Sequence, residues 1–131
     1  MKQFILNAFF VLAVSHAFSQ LVDCHPFKEG RYRVNDAHAG GVIIDDRKGD
    51  YQTESMEVLK AVVRFKISWQ NDCNYTLTLD KVIRNENKVP FPPDLKILVK
   101  IILVNGSNSY IQELSSSMYE GIYRTEVTRI P

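Results

Sequence analysis

Histidine is the residue type that most often carries metal or acid–base chemistry, and this chain has only three, His16, His25 and His38. Neither His25 nor His38 has a second histidine two to five residues further on, which is the spacing of common zinc sites. A surface site shared between a histidine and an aspartate stays open as a minor alternative. The histidines therefore predict no metal site.

Two cysteines, Cys24 and Cys73, are the only thiols. In an oxidising compartment an even pair predicts a disulfide, which would close a loop of about fifty residues and stabilise the fold by about 4 kcal/mol. Two free thiols or an intermolecular bridge are the alternatives. A cysteine nucleophile would need a free thiol with a histidine base. His25 is next to Cys24, but adjacent residues of a strand point to opposite faces.

The carboxylates are numerous without forming a motif. Residues 45–50 read Asp-Asp-Arg-Lys-Gly-Asp, which lacks the alternate acidic positions and closing glutamate of an EF-hand loop, so we expect a solvated hairpin tip. A glycosidase pair would need two carboxylates that converge in a cleft, which sequence cannot show. The chain also lacks a glycine-rich phosphate loop. We therefore predict no catalytic residue and no cofactor.

Aromatic residues are the remaining hint of a site. Phe65, Trp69, Tyr75 and Tyr123 fall on the inward positions of their predicted strands. They would line a pocket for a small apolar ligand or simply fill a small core. Arg129 shares the inward position and would need an anionic partner there, such as a ligand, unless the chain end frays.

The first nineteen residues have the features of a secretory signal. Lys2 precedes an apolar run over residues 4–17, and Ala17-Phe18-Ser19 offers small residues for cleavage before Gln20. Later segments contain no apolar run of eighteen residues, so we expect no transmembrane segment. Lipidation at Cys24 is disfavoured, because Asp23 occupies a position that needs a small neutral residue and because Ser19 and Gln20 separate the cysteine from the apolar run. The expected location is periplasmic or extracellular.

Residues 20–131 have the length of a single domain. Loss of Lys2 with the signal would leave fifteen basic and fifteen acidic residues. This balance argues against nucleic acid as a partner, since such binding needs a concentrated basic face.

Alternation of apolar and polar residues is strongest over residues 59–69 and resumes over residues 73–79. This period of two predicts a hairpin of half-buried strands. A three-residue turn over residues 70–72 would place Trp69 opposite Cys73.

Residues 95–104 form a second long strand that is apolar on both sides. Leu98, Ile102 and Val104 lie on its outer side. A strand of this kind is buried on both faces or lies at an interface. The outer side is therefore a candidate interaction face, and a homo-oligomer is one outcome.

Weaker alternation predicts strands near residues 31–34, 41–44, 51–54, 110–114 and 121–130. A helical turn could occur only over residues 55–60. The whole pattern predicts an all-β, antiparallel, lipocalin-like fold of six to eight strands, either a small barrel or a curled sheet, with a two-sheet sandwich as the alternative.

Part of this pattern resembles a group of small exported bacterial proteins. The resemblance rests on a Cys-x-x-Phe-Lys-x-Gly-x-Tyr segment, a Gln-x-Glu strand and a Trp-x-x-Asp-Cys-x-Tyr-x-Leu segment, found here at Cys24–Tyr32, Gln52–Glu54 and Trp69–Leu77. It covers about residues 24–79. It implies export, a disulfide and a lipocalin-like β fold, and it implies no catalytic residue.

Three functions follow from these observations, in descending order of support. The first is an exported, non-enzymatic binding module for a small apolar ligand or a protein surface. The second is a structural protein that self-associates through Leu98, Ile102 and Val104. The third is a hydrolase built on carboxylates.

Overall fold

Eight antiparallel strands follow one another around a closed barrel in the computed structural model, which describes residues 22–131. The prediction of a small all-β barrel is confirmed, and the sandwich alternative is wrong. The predicted signal peptide, residues 1–19, lies outside the described residues. The strands are β1 (Gly30–Asp36), β2 (Gly41–Lys48), β3 (Tyr51–Met56), β4 (Ala61–Asn71), β5 (Asn74–Asn85), β6 (Lys96–Asn105), β7 (Ser109–Ser116) and β8 (Tyr119–Ile130).

Closure of the barrel occurs where β1 pairs with β8, with Val34 opposite Val127. Every other strand pairs with its neighbour in sequence, so the sheet has no free edge along this seam. Alternate residues point inward, and the inward apolar side chains form one core inside the barrel. Its members include Tyr32, Val34, Val63, Phe65, Ile67, Tyr75, Leu77, Val99, Ile101, Tyr110 and Val127.

One end of the barrel, here called the disulfide end, is covered by the segment that precedes β1. Its short 3-10 helix, His25–Phe27, places the Phe27 ring in the core, where it is fully buried. Cys24 is bonded to Cys73 with 5.2 Å between their Cα atoms. Lys28 Nζ lies 2.8 Å from Oδ1 of Asp72 in the adjacent hairpin. The predicted disulfide is thus confirmed, and it attaches this segment to the turn after β4.

The β4–β5 hairpin differs from the prediction in its register. Trp69 pairs with Tyr75, and Asn71 pairs with Asn74, so the turn is made by Asp72 and Cys73 alone. The predicted pairing of Trp69 with Cys73 is wrong. The strand alternation was interpreted correctly, but a bulge between Trp69 and Asn71 adds the residue that shifts the register.

Residues 55–60, the one segment in which a helical turn was considered, contain no helix. Glu57 to Lys60 form a tight turn in which the Lys60 N–H donates to the Glu57 carbonyl. The two short 3-10 helices occur instead at His25–Phe27 and Ala37–Ala39. Among residues 22–131, no helix has both the length and the apolar character that crossing a membrane requires.

A bulge in β6 changes the predicted interaction face. The pairing with β7 shifts between Ile101 and Leu103, so the residues after it exchange sides. Leu98 stays on the outer surface, half exposed, and Ile102 lies at the bulge. Val104, predicted to point outward, packs against the core, whereas its neighbour Leu103 is half exposed.

The acidic segment at residues 45–50 is not the solvated hairpin tip that its composition predicted. β2 continues through it to Lys48, and only Gly49 and Asp50 form the turn. Because alternate residues of β2 point inward, Asp45 and Arg47 are carried into the barrel, where they are 3% and 1% exposed.

Candidate functional site

A cavity of about 190 Å³ lies at the end of the barrel opposite the disulfide, here called the cavity end. The turns after β1, β3, β5 and β7 surround it. Most of its wall is apolar, and Asp36, His38 and Glu54 bring polar groups to it. The apolar lining includes Ile43, Met56, Leu59, Phe65, Phe91, Leu95, Ile97, Leu114 and Met118.

Long-range folding, rather than one local motif, forms this wall. Residues 86–95 connect β5 to β6, and Leu95 is buried at the end of that loop. The Asn85 side chain accepts from the Val89 N–H and donates to the Val89 carbonyl, which fixes the start of the loop. Phe91 thereby packs against the core and lines the cavity.

Glu54 and Asp45 form a pair of inward carboxyls on neighbouring strands. They are directly opposite in the β2–β3 register. Glu54 is partly exposed to the cavity, whereas Asp45 is buried and does not line it. Burial raises the pKa of Asp45 to about 7, although Arg47 favours its charged form. Burial, followed by the charges of Asp45 and Asp36, raises the pKa of Glu54 well above its ordinary value.

Arg47 lies on the disulfide side of this acidic pair, and its guanidinium donates hydrogen bonds to four acceptors. Its Nε donates to Oε1 of Gln52 (2.9 Å), and its Nη1 donates to the Phe27 carbonyl (2.5 Å). Its Nη2 donates to the hydroxyls of Tyr75 (2.9 Å) and Tyr110 (3.0 Å). This network ties β2 to β3, β5, β7 and the covering segment, with the guanidinium as the shared donor.

Aromatic rings surround the same guanidinium. Its carbon lies 4.8 Å from the ring centre of Tyr32 and 4.9 Å from that of Tyr75. Burial opposes the charge of Arg47, but Tyr75, Tyr110 and Asp45 hold its pKa above the ordinary value. Burial raises the pKa of the Tyr75 hydroxyl well above 10, so the hydroxyl remains a neutral hydrogen-bonding group.

The rings of a histidine and two tyrosines pack against one another at a tilt at the mouth of the cavity. The ring of His38 lies 4.5 Å from that of Tyr119 and 4.4 Å from that of Tyr123. Asp36 accepts the backbone N–H of His38 (2.8 Å), and its carboxylate lies 3.5 Å from Nδ1 of the same residue. Burial and the nearby charge of Asp36 raise the pKa of the Tyr123 hydroxyl. The mouth is therefore aromatic with one carboxylate behind it.

The cavity collects two of the five residues predicted to face a ligand. Phe65 and Tyr123 line it. Trp69 and Tyr75 lie toward the disulfide end, where their tilted rings have centres 4.6 Å apart and the Lys28 ammonium lies 5.3 Å from the centre of the Trp69 ring. Both are thus outside the cavity wall.

Arg129, the fifth residue, lies at the disulfide end as well. Its guanidinium donates to the carbonyls of Pro26 (2.5 Å), Ser107 (3.3 Å) and Glu29 (3.4 Å). It also lies 5.3 Å from the Phe27 ring centre. Backbone carbonyls therefore accept from Arg129 where an inward position was expected to need an anionic partner, and they hold the last strand to the covering segment.

Sequence reasoning missed Asp45, Arg47, Glu54 and Asp36 as interior groups. The signal was present, because the alternation that begins at Ile43 continues through Asp45 and Arg47. A run of charged residues favours a solvated turn over the inward positions of a strand, because isolated charges are rarely buried.

The chemistry of this arrangement is that of an apolar cavity with carboxyl groups on one side. Within residues 22–131, no group of three or more histidine, cysteine, aspartate or glutamate side chains is placed to hold a metal ion. Comparison of the chain with protein-family models, with curated proteins and with solved structures found no match in any of the three.

Proposed function

We propose that this chain is an exported, non-enzymatic binding module that takes a small apolar molecule at the cavity end of its barrel. The observation that carries the proposal is the cavity of about 190 Å³ with an apolar wall. An apolar cavity of about 150 Å³ is large enough for benzene. The size therefore suits a ligand of one ring with a short substituent, or a short alkyl chain.

Support for export comes from the Cys24–Cys73 disulfide, since such bonds persist in oxidising compartments. The proposed mature chain begins at Gln20. Mass spectrometry of protein recovered from the periplasm or the medium would test this, and an unprocessed chain retained in the cytoplasm would contradict it.

Two methionines make the binding test direct. Met56 and Met118 both line the cavity, and Met1, the third methionine, lies in the proposed signal. Protein labelled at the methionine methyl carbons thus reports on the cavity alone when benzyl alcohol is titrated in. We expect saturable shifts of both methyl signals, with the Trp69 indole signal unchanged as an internal control.

Adjacent residues of β6 provide a matched pair of variants. Ile97 lines the cavity, whereas Leu98 lies on the outer surface. Ile97→Phe fills part of the cavity and should weaken benzyl alcohol binding at least about tenfold, while Leu98→Phe should leave it unchanged. Equal effects of the two substitutions, or no saturable shift in the parent protein, would contradict the proposal.

Self-association is the second candidate, supported by exposed apolar side chains on the outer surface. Leu98 is 50% exposed, Leu103 is 49% exposed and Ile122 is 70% exposed. Leu98 and Ile122 line one shallow outer groove, but Leu103 and Val104 line others. Sedimentation of the protein and of Leu98→Lys tests this function, which requires a concentration-dependent dimer that the substitution weakens.

Hydrolysis by carboxylates is the third candidate function, although Asp45 and Glu54 lie opposite each other on adjacent strands. A glycosidase needs both carboxyls to reach the bond being broken. Asp45 is 3% exposed and does not line the cavity, so only Glu54 of this pair can touch a molecule there. The pair is better suited to set the charge of the cavity than to act on a substrate from two sides.

A further inference from the structure

Carboxyl groups exceed basic groups inside the barrel next to the cavity. Asp36, Asp45 and Glu54 face inward from β1, β2 and β3, with Arg47 as the guanidinium among them. Arg47 already has its donors directed at Gln52, Phe27, Tyr75 and Tyr110. It can balance one carboxylate by charge. Of the other two, Asp36 lies 3.5 Å from Nδ1 of His38, whereas Glu54 forms no ion pair within residues 22–131.

An unsatisfied acceptor lies in the same cluster. Within the described part of the chain, Oδ1 of Asp45 is one of two buried side-chain oxygens without a hydrogen-bond partner. Burying such an oxygen without a partner is costly, and a positive charge nearby offsets that cost. Glu54, which lies opposite Asp45 on the adjacent strand, lines the cavity and so connects the cluster to its wall.

We infer that the ligand is a small apolar amine, whose ammonium group is held by Glu54 and Asp36 and whose hydrocarbon part lies against Phe65, Ile97 and Leu114. This inference rests on the proposed function, because it names the chemical class bound in the same cavity. The rest of the cavity wall is mostly apolar, which favours an ammonium carried on hydrocarbon over a hydrated metal ion that would need polar ligands on all sides.

Three ring compounds of similar size test the inference by calorimetry at pH 8. Benzylamine carries a positive charge, benzyl alcohol carries none, and benzoate carries a negative charge. A charge-assisted hydrogen bond to a buried carboxylate predicts that benzylamine binds at least about tenfold more tightly than benzyl alcohol. Benzoate should bind more weakly than either, because it meets the acids directly.

Substitution of the acids locates the effect. Glu54→Gln keeps the side-chain shape and removes the charge, so benzylamine should fall to the affinity of benzyl alcohol while benzyl alcohol itself changes little. Asp36→Asn should also reduce the preference for benzylamine, and it replaces Glu54→Gln as the test variant if the latter does not fold. Glu126→Gln, on the exposed outer side of β8, is the matched control and should change nothing.

Proton release gives a second readout that a merely structural role would not produce. An ammonium beside Glu54 would favour its ionised form, so benzylamine binding should release protons and its enthalpy should differ between buffers. The charged and polar groups that face Glu54 are Asp36, Asp45, Arg47 and Gln52, and the side chains of His38 and Tyr123 line the same cavity.

The outcomes separate the two proposals. Equal affinity for benzylamine and benzyl alcohol, or a preference that survives both Glu54→Gln and Asp36→Asn, would overturn the amine inference and leave the binding module standing. Failure of all three compounds to bind would contradict the binding module itself. A preference for benzylamine that is lost in Glu54→Gln supports both.

Discussion

Asp45 lies directly opposite Glu54 across β2 and β3, with both side chains inside the barrel. A solvent-exposed pair of this kind would cost little, but burial makes two adjacent negative charges unfavourable. The pair therefore favours states that hold protons, and this couples the stability of the barrel to pH.

Glu54→Gln should change the pH dependence of stability. Because the folded-state pKa of Asp45 is about 7 against an ordinary 3.8, the folded protein binds more protons than the unfolded chain between these values. The stabilisation by these protons is complete below about pH 4 and is lost as the pH rises through about 7. The pKa of Glu54 is raised in the same direction by burial and by the charges of Asp45 and Asp36. Removing this carboxyl should therefore increase the free energy of unfolding at pH 8 by on the order of 1–3 kcal/mol.

Urea unfolding at pH 5 and pH 8 would measure this difference, with Glu126→Gln as the exposed control. The gain should shrink at pH 5, where the acidic pair already holds protons. A gain that is the same at both pH values would show that the acidic pair does not titrate as described.

Arg47→Met should destabilise the barrel strongly. The substitution leaves the hydroxyls of Tyr75 and Tyr110 and the Phe27 carbonyl without their donor, and leaves Asp45 without its neighbouring positive charge. Loss of one partner of a buried charge pair costs about 3–5 kcal/mol. Arg47→Lys should also destabilise, because an ammonium cannot reproduce the planar fork that serves four acceptors.

Arg33→Met is the matched control for Arg47→Met, because Arg33 is exposed on β1. Its effect should stay within about 0.5 kcal/mol. Similar midpoints of urea unfolding for the two methionine variants would contradict the central role of the buried guanidinium.

Removal of the disulfide should lower stability and loosen the disulfide end first. The bond closes a loop with a sequence separation of 49, for which chain entropy predicts a loss of about 4 kcal/mol. The double substitution Cys24→Ser with Cys73→Ser measures this loss by thermal unfolding. Hydrogen exchange should increase around Phe27 and the turn at Asp72, and unchanged exchange there would be inconsistent with the attachment of the covering segment.

The bulge in β6 predicts opposite tolerance at adjacent residues. Val104 packs against the core and pairs with buried Tyr110, whereas Leu103 faces outward. Val104→Asp places a charge against apolar groups and should cost at least about 2 kcal/mol, while Leu103→Asp should change stability by less than about 0.5 kcal/mol. The reverse order in chemical unfolding would show that the alternation continues without a bulge.

Most of the fold could be predicted from local pattern. Alternation over residues 59–69 and 73–79 is produced by the two-residue period of a strand, which each short segment carries by itself. The disulfide followed from two cysteines in a chain with the features of an exported protein. The register of the β4–β5 hairpin was missed, because a bulge depends on contacts between strands.

Less of the candidate site could be predicted. Phe65 and Tyr123 were placed correctly on the inward side, but which inward aromatic residues line a cavity depends on where the barrel is filled. Phe27 and Arg129 fill the disulfide end of the barrel, through contacts between residues that are about a hundred positions apart in sequence. The cavity remains at the opposite end of the barrel.

The sequence by itself determined which residues alternate between the two sides of each strand and which cysteines can pair, because both depend on residue type and short spacing. Only the tertiary structure decided that Asp45 and Arg47 are buried. A charge is tolerated inside a protein when distant groups supply partners, and those of Arg47 come from β3, β5, β7 and the segment before β1. Barrel closure brings these strands together, and no stretch of the sequence contains that information alone.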